Sequence, residues 1–164
     1  MVLRSRETHE ILRVYCDTSV FGGCFDKGFE LDSLRVIRMA RNSEITIVTS
    51  QPVLDEIADG PPHVLELVNS LPKSSIEFHA LTKECISLQR EYLRDGVLGA
   101  RWAIDALHVA AATVARADAI VSWNFRHIVR IDKIKAFNEV NMKLGYPQLI
   151  IVSPKQVQEY DDEN

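Results

Sequence analysis

The chain has few cysteines, and none is spaced as in a metal-binding motif. Cys16, Cys24 and Cys85 are odd in number and form no Cys-x-x-Cys pair. The sequence therefore suggests neither a disulfide framework nor a zinc site, and we expect three reduced thiols.

Long apolar runs and an excess of positive charge are also missing. No uninterrupted apolar run approaches the roughly 20 residues of a membrane helix, and residues 1–10 are charged, without the apolar stretch of a secretory signal. We therefore expect a soluble, cytoplasmic protein without a membrane partner. The formal net charge of −4 gives no overall basic surface of the kind many nucleic-acid binders have, but it does not exclude nucleic acid.

Motifs for other phosphate chemistries are absent as well. There is no Gly-x-x-x-x-Gly-Lys phosphate loop. A dehalogenase-type phosphoacceptor needs Asp-x-Asp, whereas this chain has Asp17-Thr18-Ser19. A receiver domain would need clustered acids at its first strand and a lysine ending a late strand, and neither is present.

The sequence does contain alternating strand-like and helix-like segments. With 164 residues, 46% of them apolar, it is long enough for one domain with a sizeable core. We predict strands over 11–16, 45–49, 76–81, 119–123 and 148–152. Strands alternating with helices imply a mostly parallel central sheet flanked by helices, so we expect a single α/β domain spanning residues 1–164.

The predicted helices follow each of these strands. A loop containing Gly22, Gly23 and Gly28 leads from the first strand to the first helix. Helices are predicted from about Asp32, from Ser50 as N-cap, over 64–71, from Thr82 to about Arg94, from Asp105, around 133–144, and after Ser153-Pro154.

Three carboxylates stand where this fold would bring them to one edge of the sheet. Asp17 ends the first strand, Glu56 lies one helical turn beyond the second, and Asp105 begins an apolar helix. In open α/β sheets, ligands bind at the carboxyl ends of the strands. Carboxylate oxygens suit Mg²⁺ or Mn²⁺, which activate water and stabilise charge on a phosphoryl group. The sequence therefore predicts a hard-metal phosphodiester hydrolase.

Each of these acids also has a purely structural interpretation. Asp17 could cap a turn or helix, and Glu56 or Asp105 could balance a helix dipole. An unpaired carboxylate on the small-residue helix after Asp105 would be costly, which favours a functional role. His108 shares a helix face with Asp105 and could orient it, although a core histidine with satisfied hydrogen bonds is the simpler interpretation.

Four segments, in this order, resemble the motifs of PIN-domain proteins. They are residues 15–23, Glu56, residues 105–110 and residues 120–128, and the resemblance covers nearly the whole chain. It implies a PIN-like three-layer fold and Mg²⁺- or Mn²⁺-dependent endoribonuclease activity, as in the VapC-type toxins of toxin–antitoxin pairs. It further implies an RNA substrate, a cognate antitoxin protein that covers the acidic site, and a homodimer.

The resemblance also implies four metal-site and catalytic positions. Asp17, Glu56 and Asp105 match the first three acidic positions of the family. The fourth departs from it, because Asn124 stands where many members carry aspartate. An amide can coordinate through its carbonyl oxygen, but the lost charge should weaken binding of a second cation. We expect at least one metal; a catalytically silent RNA- or protein-binding module is the alternative.

Candidate RNA contacts follow the first and fourth predicted strands. Hydroxyls could hold a water or a phosphate oxygen, basic groups could meet phosphates, and an indole could stack on a base. A solvated basic face and a core tryptophan remain equally compatible with the same pattern. The candidates are Thr18, Ser19, Trp123, Arg126, His127 and Arg130.

Overall fold

The computed structural model describes residues 10–158, which form a five-stranded sheet flanked by helices. Residues 1–9 of the charged amino-terminal segment lie outside the described residues, as do residues 159–164. The strands are β1 (Leu12–Cys16), β2 (Ile45–Ser50), β3 (Ile76–His79), β4 (Ala119–Val121) and β5 (Ile150–Val152).

Helices connect these strands, which confirms the predicted α/β alternation. They are α1 (Thr18–Gly23), α2 (Glu30–Arg41), α3 (Gln51–Ala58), α4 (Pro62–Asn69), α5 (Lys83–Arg94), α6 (Ala103–Val114) and α7 (Ile131–Lys143). Single 3₁₀ turns occupy Lys73–Ser75, Ala100–Trp102 and Pro154–Gln156. The arrangement is consistent with a PIN-like three-layer fold.

The strand order reverses its direction of growth beside β1. All neighbouring strands pair in parallel, in the order β3-β2-β1-β4-β5. The chain therefore extends the sheet from β1 in one direction and then returns to extend it from β4 in the other. Such a reversal opens a crevice at the carboxyl ends of the two central strands. Asp17 follows β1 and Ser122 follows β4, so both lie at this crevice.

The core explains why the sheet can be wholly parallel. Val14, Tyr15, Ile47 and Ile120 are fully buried, as expected for strands covered on both faces. Helix α6 packs on β2 and β4 with small, buried residues such as Ala110. Because α6 ends shortly before β4 begins, its first turn points toward the carboxyl edge of the sheet, where the crevice lies.

The prediction of a glycine loop after the first strand is wrong at Gly22 and Gly23, which lie in α1. Asp17 caps this helix by accepting a hydrogen bond from the backbone N–H of Ser19 at 3.1 Å. Gly23 serves close packing, because an added Cβ would lie 2.5 Å from Ser33 Oγ and 2.7 Å from Trp123 Nε1. The Gly-Gly pair, which is typical of a turn, here lies in a helix, and Gly23 is needed for close packing against Ser33 and Trp123.

Four strands are shorter than predicted. Strand β1 begins at Leu12 and β3 ends at His79, while side chains bond the backbone that flanks β4 and β5. Strand β4 ends at Val121, and the hydroxyl of the next residue, Ser122, accepts from the backbone N–H of Asn124 and donates to Asp17. Strand β5 begins at Ile150 because the amide side chain of Asn138 bonds both the N–H and the C=O of Leu149, at 2.7 and 3.0 Å.

Several helix boundaries also differ from the predictions. Helix α4 ends at Asn69 before a capping serine, and the helix expected after Ser153-Pro154 is a single 3₁₀ turn. Helix α6 begins at Ala103, so Asp105 stands within its first turn. Ser50 does occupy the N-cap of α3, but its hydroxyl bonds Tyr15 rather than the helix backbone.

The cysteine prediction is confirmed, because Cys16, Cys24 and Cys85 are all buried free thiols. Within residues 10–158, no helix has both the length and the apolar character needed to cross a membrane.

A forked ion pair joins β1 to the edge strand β3 across the intervening β2. Arg13 donates to Glu77 through Nε at 2.9 Å and through Nη2 at 2.7 Å, and its Nη1 donates to the carbonyl of Ala115 after α6. The hydrogen bonds from Arg13, then the contact with His79 and the positive charges, lower the pKa of Glu77 from 4.5 to about 2.

We expect Gly23→Ala to lower the free energy of unfolding by about 1–3 kcal/mol, because the new methyl group would overpack the Ser33–Trp123 contact. Gly22→Ala in the same helix is the matched control, since a Cβ there meets nothing within 4 Å. Urea denaturation measures both variants. Equal stability of the two would contradict the proposed packing role of Gly23.

We expect the Arg13–Glu77 ion pair to stabilise the protein at neutral pH and to be lost in acid. Because the folded pKa of Glu77 lies below its ordinary value, the stabilisation is complete above pH 4.5 and disappears as the pH falls toward 2. Its size is about 0.5–1 kcal/mol, since the carboxylate is partly solvent-screened.

Urea denaturation from pH 7 to pH 2 measures this effect. Glu77→Gln should be less stable than the unmodified protein at neutral pH, and the difference should shrink in acid. Glu91→Gln, which loses a surface pair with Arg94, is the control. A constant difference between Glu77→Gln and the unmodified protein across this range would refute the prediction.

Candidate active site

Asp17 is a buried carboxylate at the carboxyl end of the central strand β1. Its side chain accepts hydrogen bonds from the backbone N–H of Ser19 at 3.1 Å and from the hydroxyl of Ser19 at 2.5 Å. Its other oxygen accepts from the hydroxyl of Ser122, also at 2.5 Å. Asp17 therefore caps α1 and also connects the start of α1 to the residue that follows β4.

Burial raises the pKa of Asp17, because the ionised form loses its solvation. The charge of His108 and the hydrogen bonds from Ser122 and Ser19 act in the opposite direction, while the charge of Glu56 raises the pKa further. Asp17 thus lies within electrostatic reach of Glu56. Keeping this carboxylate ionised requires compensation, which a cation in the crevice would supply.

Glu56 is held by a buried relay of hydrogen bonds. Its Oε1 lies 2.6 Å from Nε2 of His108, and Nδ1 of the same imidazole lies 2.9 Å from the hydroxyl of Tyr15. A carboxylate only accepts, so Nε2 donates to Glu56. The tyrosine hydroxyl is also 2.6 Å from Ser50 Oγ, and burial raises the pKa of Tyr15.

His108 is therefore a core histidine with both nitrogens bonded, as the simpler interpretation predicted. The hypothesis that it orients Asp105 is wrong, because its carboxylate partner is Glu56. His108 bonds Glu56 because helix α3, which carries Glu56, packs against helix α6, which carries His108.

Asp105 is hydrogen-bonded to a histidine in the loop after β4. Its Oδ2 accepts from Nδ1 of His127 at 2.8 Å. The backbone N–H of His127 donates to Oδ1 of Asn124 at 2.9 Å, and the N–H of Asn124 donates to Ser122 Oγ at 2.9 Å. Since Ser122 also bonds Asp17, a continuous hydrogen-bond chain links Asp17 to Asp105. Asn124 contributes to this chain by closing a turn of the loop.

The two residues that follow β1 carry oxygen atoms that could act as ligands. Asp17 is costly to ionise, and the buried hydroxyl oxygen of the adjacent Thr18 has no hydrogen-bond partner in the described part of the chain. These are oxygen donors of the type that Mg²⁺ and Mn²⁺ prefer. Among residues 10–158, however, no three His, Cys, Asp or Glu side chains are grouped closely enough to form a metal site by themselves.

The predicted RNA-contacting residues fall into separate groups. The hydroxyl of Ser19 is used by Asp17 and by the backbone N–H of Trp123. Trp123 itself is anchored, because its Nε1 donates to Ser33 Oγ at 2.8 Å. Arg130 is exposed and forms a forked pair with Asp132.

Arg126 and His127 lie instead at Trp102, a residue to which the sequence analysis assigned no role. Its indole stacks against His127 and lies beneath the guanidinium of Arg126. Ser122 and Tyr15 were also missed, although both stand in the segments that carry the PIN resemblance. The available signals were that Tyr15 lies two residues before Asp17 and that Ser122 directly follows a strand.

Comparison of the chain with protein-family models finds no matching family, and comparison with curated proteins finds no match. The PIN resemblance therefore remains an inference from the motifs of the sequence.

Proposed function

We propose that this protein is a Mg²⁺- or Mn²⁺-dependent endoribonuclease that hydrolyses RNA phosphodiester bonds as the toxin of a type II toxin–antitoxin pair. The observation that carries the proposal is the buried Asp17 carboxylate at the switch point between β1 and β4. The charge of Glu56 acts on Asp17, and a chain of hydrogen bonds connects Asp17 to Asp105.

The proposal assigns the cation to Asp17, Glu56 and Asp105, with Asn124 as the fourth residue of the motif set. Because no three such acidic side chains are grouped closely enough among residues 10–158, they would have to move closer together to hold the ion. When bound, the ion supplies a water of lowered pKa and neutralises charge on the phosphoryl oxygens. Among the described residues, His108 bonds Oε1 of Glu56 and His127 bonds Oδ2 of Asp105. The second oxygen of each carboxylate is left for a cation, and the two histidines orient the carboxylates.

A partner protein is supported by exposed aromatic side chains beside the crevice. Phe29 lies edge-on to Trp123 with ring centres 4.7 Å apart, and Phe125 lies on the same indole at 6.1 Å. Both phenylalanines are exposed. Apolar surface of this kind marks interaction sites, and we assign it to the antitoxin.

The homodimer stays a prediction. A cytoplasmic location is supported by the free, buried cysteines.

A catalytically silent RNA- or protein-binding module is the second candidate. Two observations favour it. The amide oxygen of Asn124 accepts a hydrogen bond from the backbone of His127, and the described residues contain no group of three His, Cys, Asp or Glu side chains placed to bind a metal. This candidate predicts RNA binding without cleavage, so activity measurements separate the two.

We expect Asp17→Asn to abolish metal-dependent RNA cleavage while the fold is retained. Asparagine keeps the volume, its Oδ1 can still accept from Ser19, and its Nδ2 can donate to the hydroxyl of Ser122, but it removes the ligand charge. Because burial raises the pKa of Asp17, the neutral amide should not lower stability. Cleavage of a mixed RNA panel with Mn²⁺, Mg²⁺ or EDTA measures activity, and thermal unfolding monitors the fold.

Asp118→Asn is the matched control, because Asp118 bonds the backbone of Arg13 at the opposite edge of the sheet. It should retain cleavage. Equal activity of Asp17→Asn and the unmodified protein would reject the site. No cleavage by any of them, together with no metal binding by calorimetry, would favour the silent module.

We expect Asn124→Asp to tighten Mn²⁺ binding by about tenfold or more, because it adds a ligand charge to the site. The carboxylate can still accept from the backbone of His127, so the loop should keep its shape. Isothermal titration calorimetry measures the affinity. Asn42→Asp, at the far edge of the sheet, is the control and should leave the Mn²⁺ affinity unchanged. An unchanged affinity of Asn124→Asp would contradict the assignment of Asn124 to the metal site.

A further inference from the structure

Two arginine side chains converge on the indole of Trp102. The guanidinium carbon of Arg101 lies 5.1 Å from the ring centre, and that of Arg126 lies 5.8 Å from it. The imidazole of His127 packs against the same indole, with ring centres 4.1 Å apart and planes inclined by 32°. The residues come from two segments, the 3₁₀ turn before α6 and the loop after β4.

Neither guanidinium is neutralised within the described part of the chain. Other surface arginines have carboxylate partners, such as Arg130 with Asp132 and Arg94 with Glu91. The guanidinium groups of Arg101 and Arg126 form no ion pair or hydrogen bond with residues 10–158, and both side chains are exposed. Two like charges held on one ring repel each other, and an anion beside them would relieve that repulsion.

This cluster adjoins one of the candidate catalytic carboxylates. Trp102 precedes Asp105 by three residues at the start of α6. His127 connects the two, because it packs on Trp102 and donates to Asp105 at 2.8 Å. A ligand bound at the indole would therefore lie next to the acidic crevice.

The chemistry of the cluster matches an unpaired nucleotide. Guanidinium groups bind phosphates and stack on planar rings, and aromatic side chains stack on exposed bases. In a duplex the base faces are hidden, so stacking requires a single strand. Trp123 is less free to turn toward a base, because its Nε1 donates to Ser33 at 2.8 Å.

We propose that Arg101, Trp102 and Arg126 form a binding site for an unpaired nucleotide of single-stranded RNA, with its phosphate at the arginines and its base on the Trp102 cluster. The site deepens the proposed function and rests on it in taking RNA as the substrate. It positions the strand beside Asp105.

Fluorescence anisotropy of a labelled, unstructured RNA oligonucleotide tests the site in EDTA, where metal-dependent cleavage cannot occur. The full chain should bind the single strand more tightly than a duplex of the same sequence. Trp102→Leu should weaken single-strand binding by about 5- to 100-fold and change duplex binding little. Arg101→Gln and Arg126→Gln should each lower the slope of log affinity against log salt by about 1.

Two further variants make the result specific. Trp102→Phe keeps an aromatic face and should retain most of the affinity. Arg41→Gln removes an exposed arginine where α2 ends before β2, at the opposite edge of the sheet, and should leave affinity and salt slope unchanged. Thermal unfolding identifies any variant that does not fold; if Trp102→Leu fails, Trp102→Phe and the arginine variants decide. Unchanged single-strand affinity in the folded variants would overturn the proposal.

Cleavage by the same proteins in Mn²⁺ separates this site from the proposed function. Single-strand binding through Trp102 without any cleavage would support the site and reject the nuclease. Cleavage by the unmodified protein, with affinity and rate unchanged in the three single-site variants at Arg101, Trp102 and Arg126, would reject the site and keep the nuclease.

Discussion

The rest of the crevice depends on how the Asp17 carboxylate is held between β1 and β4. A buried charge is costly, and hydrogen bonds from Ser19 and Ser122 replace part of the solvation that water would supply. The same bonds join the start of α1 to the loop after β4. These segments flank the point where the strand order reverses, so the hydrogen bonds of one carboxylate connect the two halves of the sheet beside the β1–β4 ladder.

The other two carboxylates are positioned by histidines from different elements. His108 on α6 holds Glu56 on α3, while His127 in the loop after β4 holds Asp105 on α6. A histidine that donates to each carboxylate offsets part of the repulsion between neighbouring acids. Each imidazole has a second anchor, Tyr15 for His108 and Trp102 for His127. The crevice thus combines oxygen donors of fixed orientation with a cationic, aromatic surface at its rim.

Local sequence signals were sufficient for most of the fold. Apolar runs such as residues 45–49 predicted strands of a mostly parallel sheet, and the apolar, small residues after Asp105 predicted a buried helix. The carboxyl ends of the strands also predicted which edge would carry Asp17. These features depend on periodicity and burial within one segment. The errors occurred where another segment intervened, as at Gly23, which the side chains of Ser33 and Trp123 require, and at Leu149, whose backbone Asn138 bonds.

The sequence by itself determined the alternating α/β architecture, the reduced cysteines and the acids available for chemistry, since each follows from residue type and spacing along one segment. Only the tertiary structure decided which groups those acids meet. The pairing of His108 with Glu56, the pairing of His127 with Asp105, and the contact of Arg126 with Trp102 join residues distant in the chain. Such contacts depend on how helices and loops pack around the sheet, and no local pattern encodes that packing.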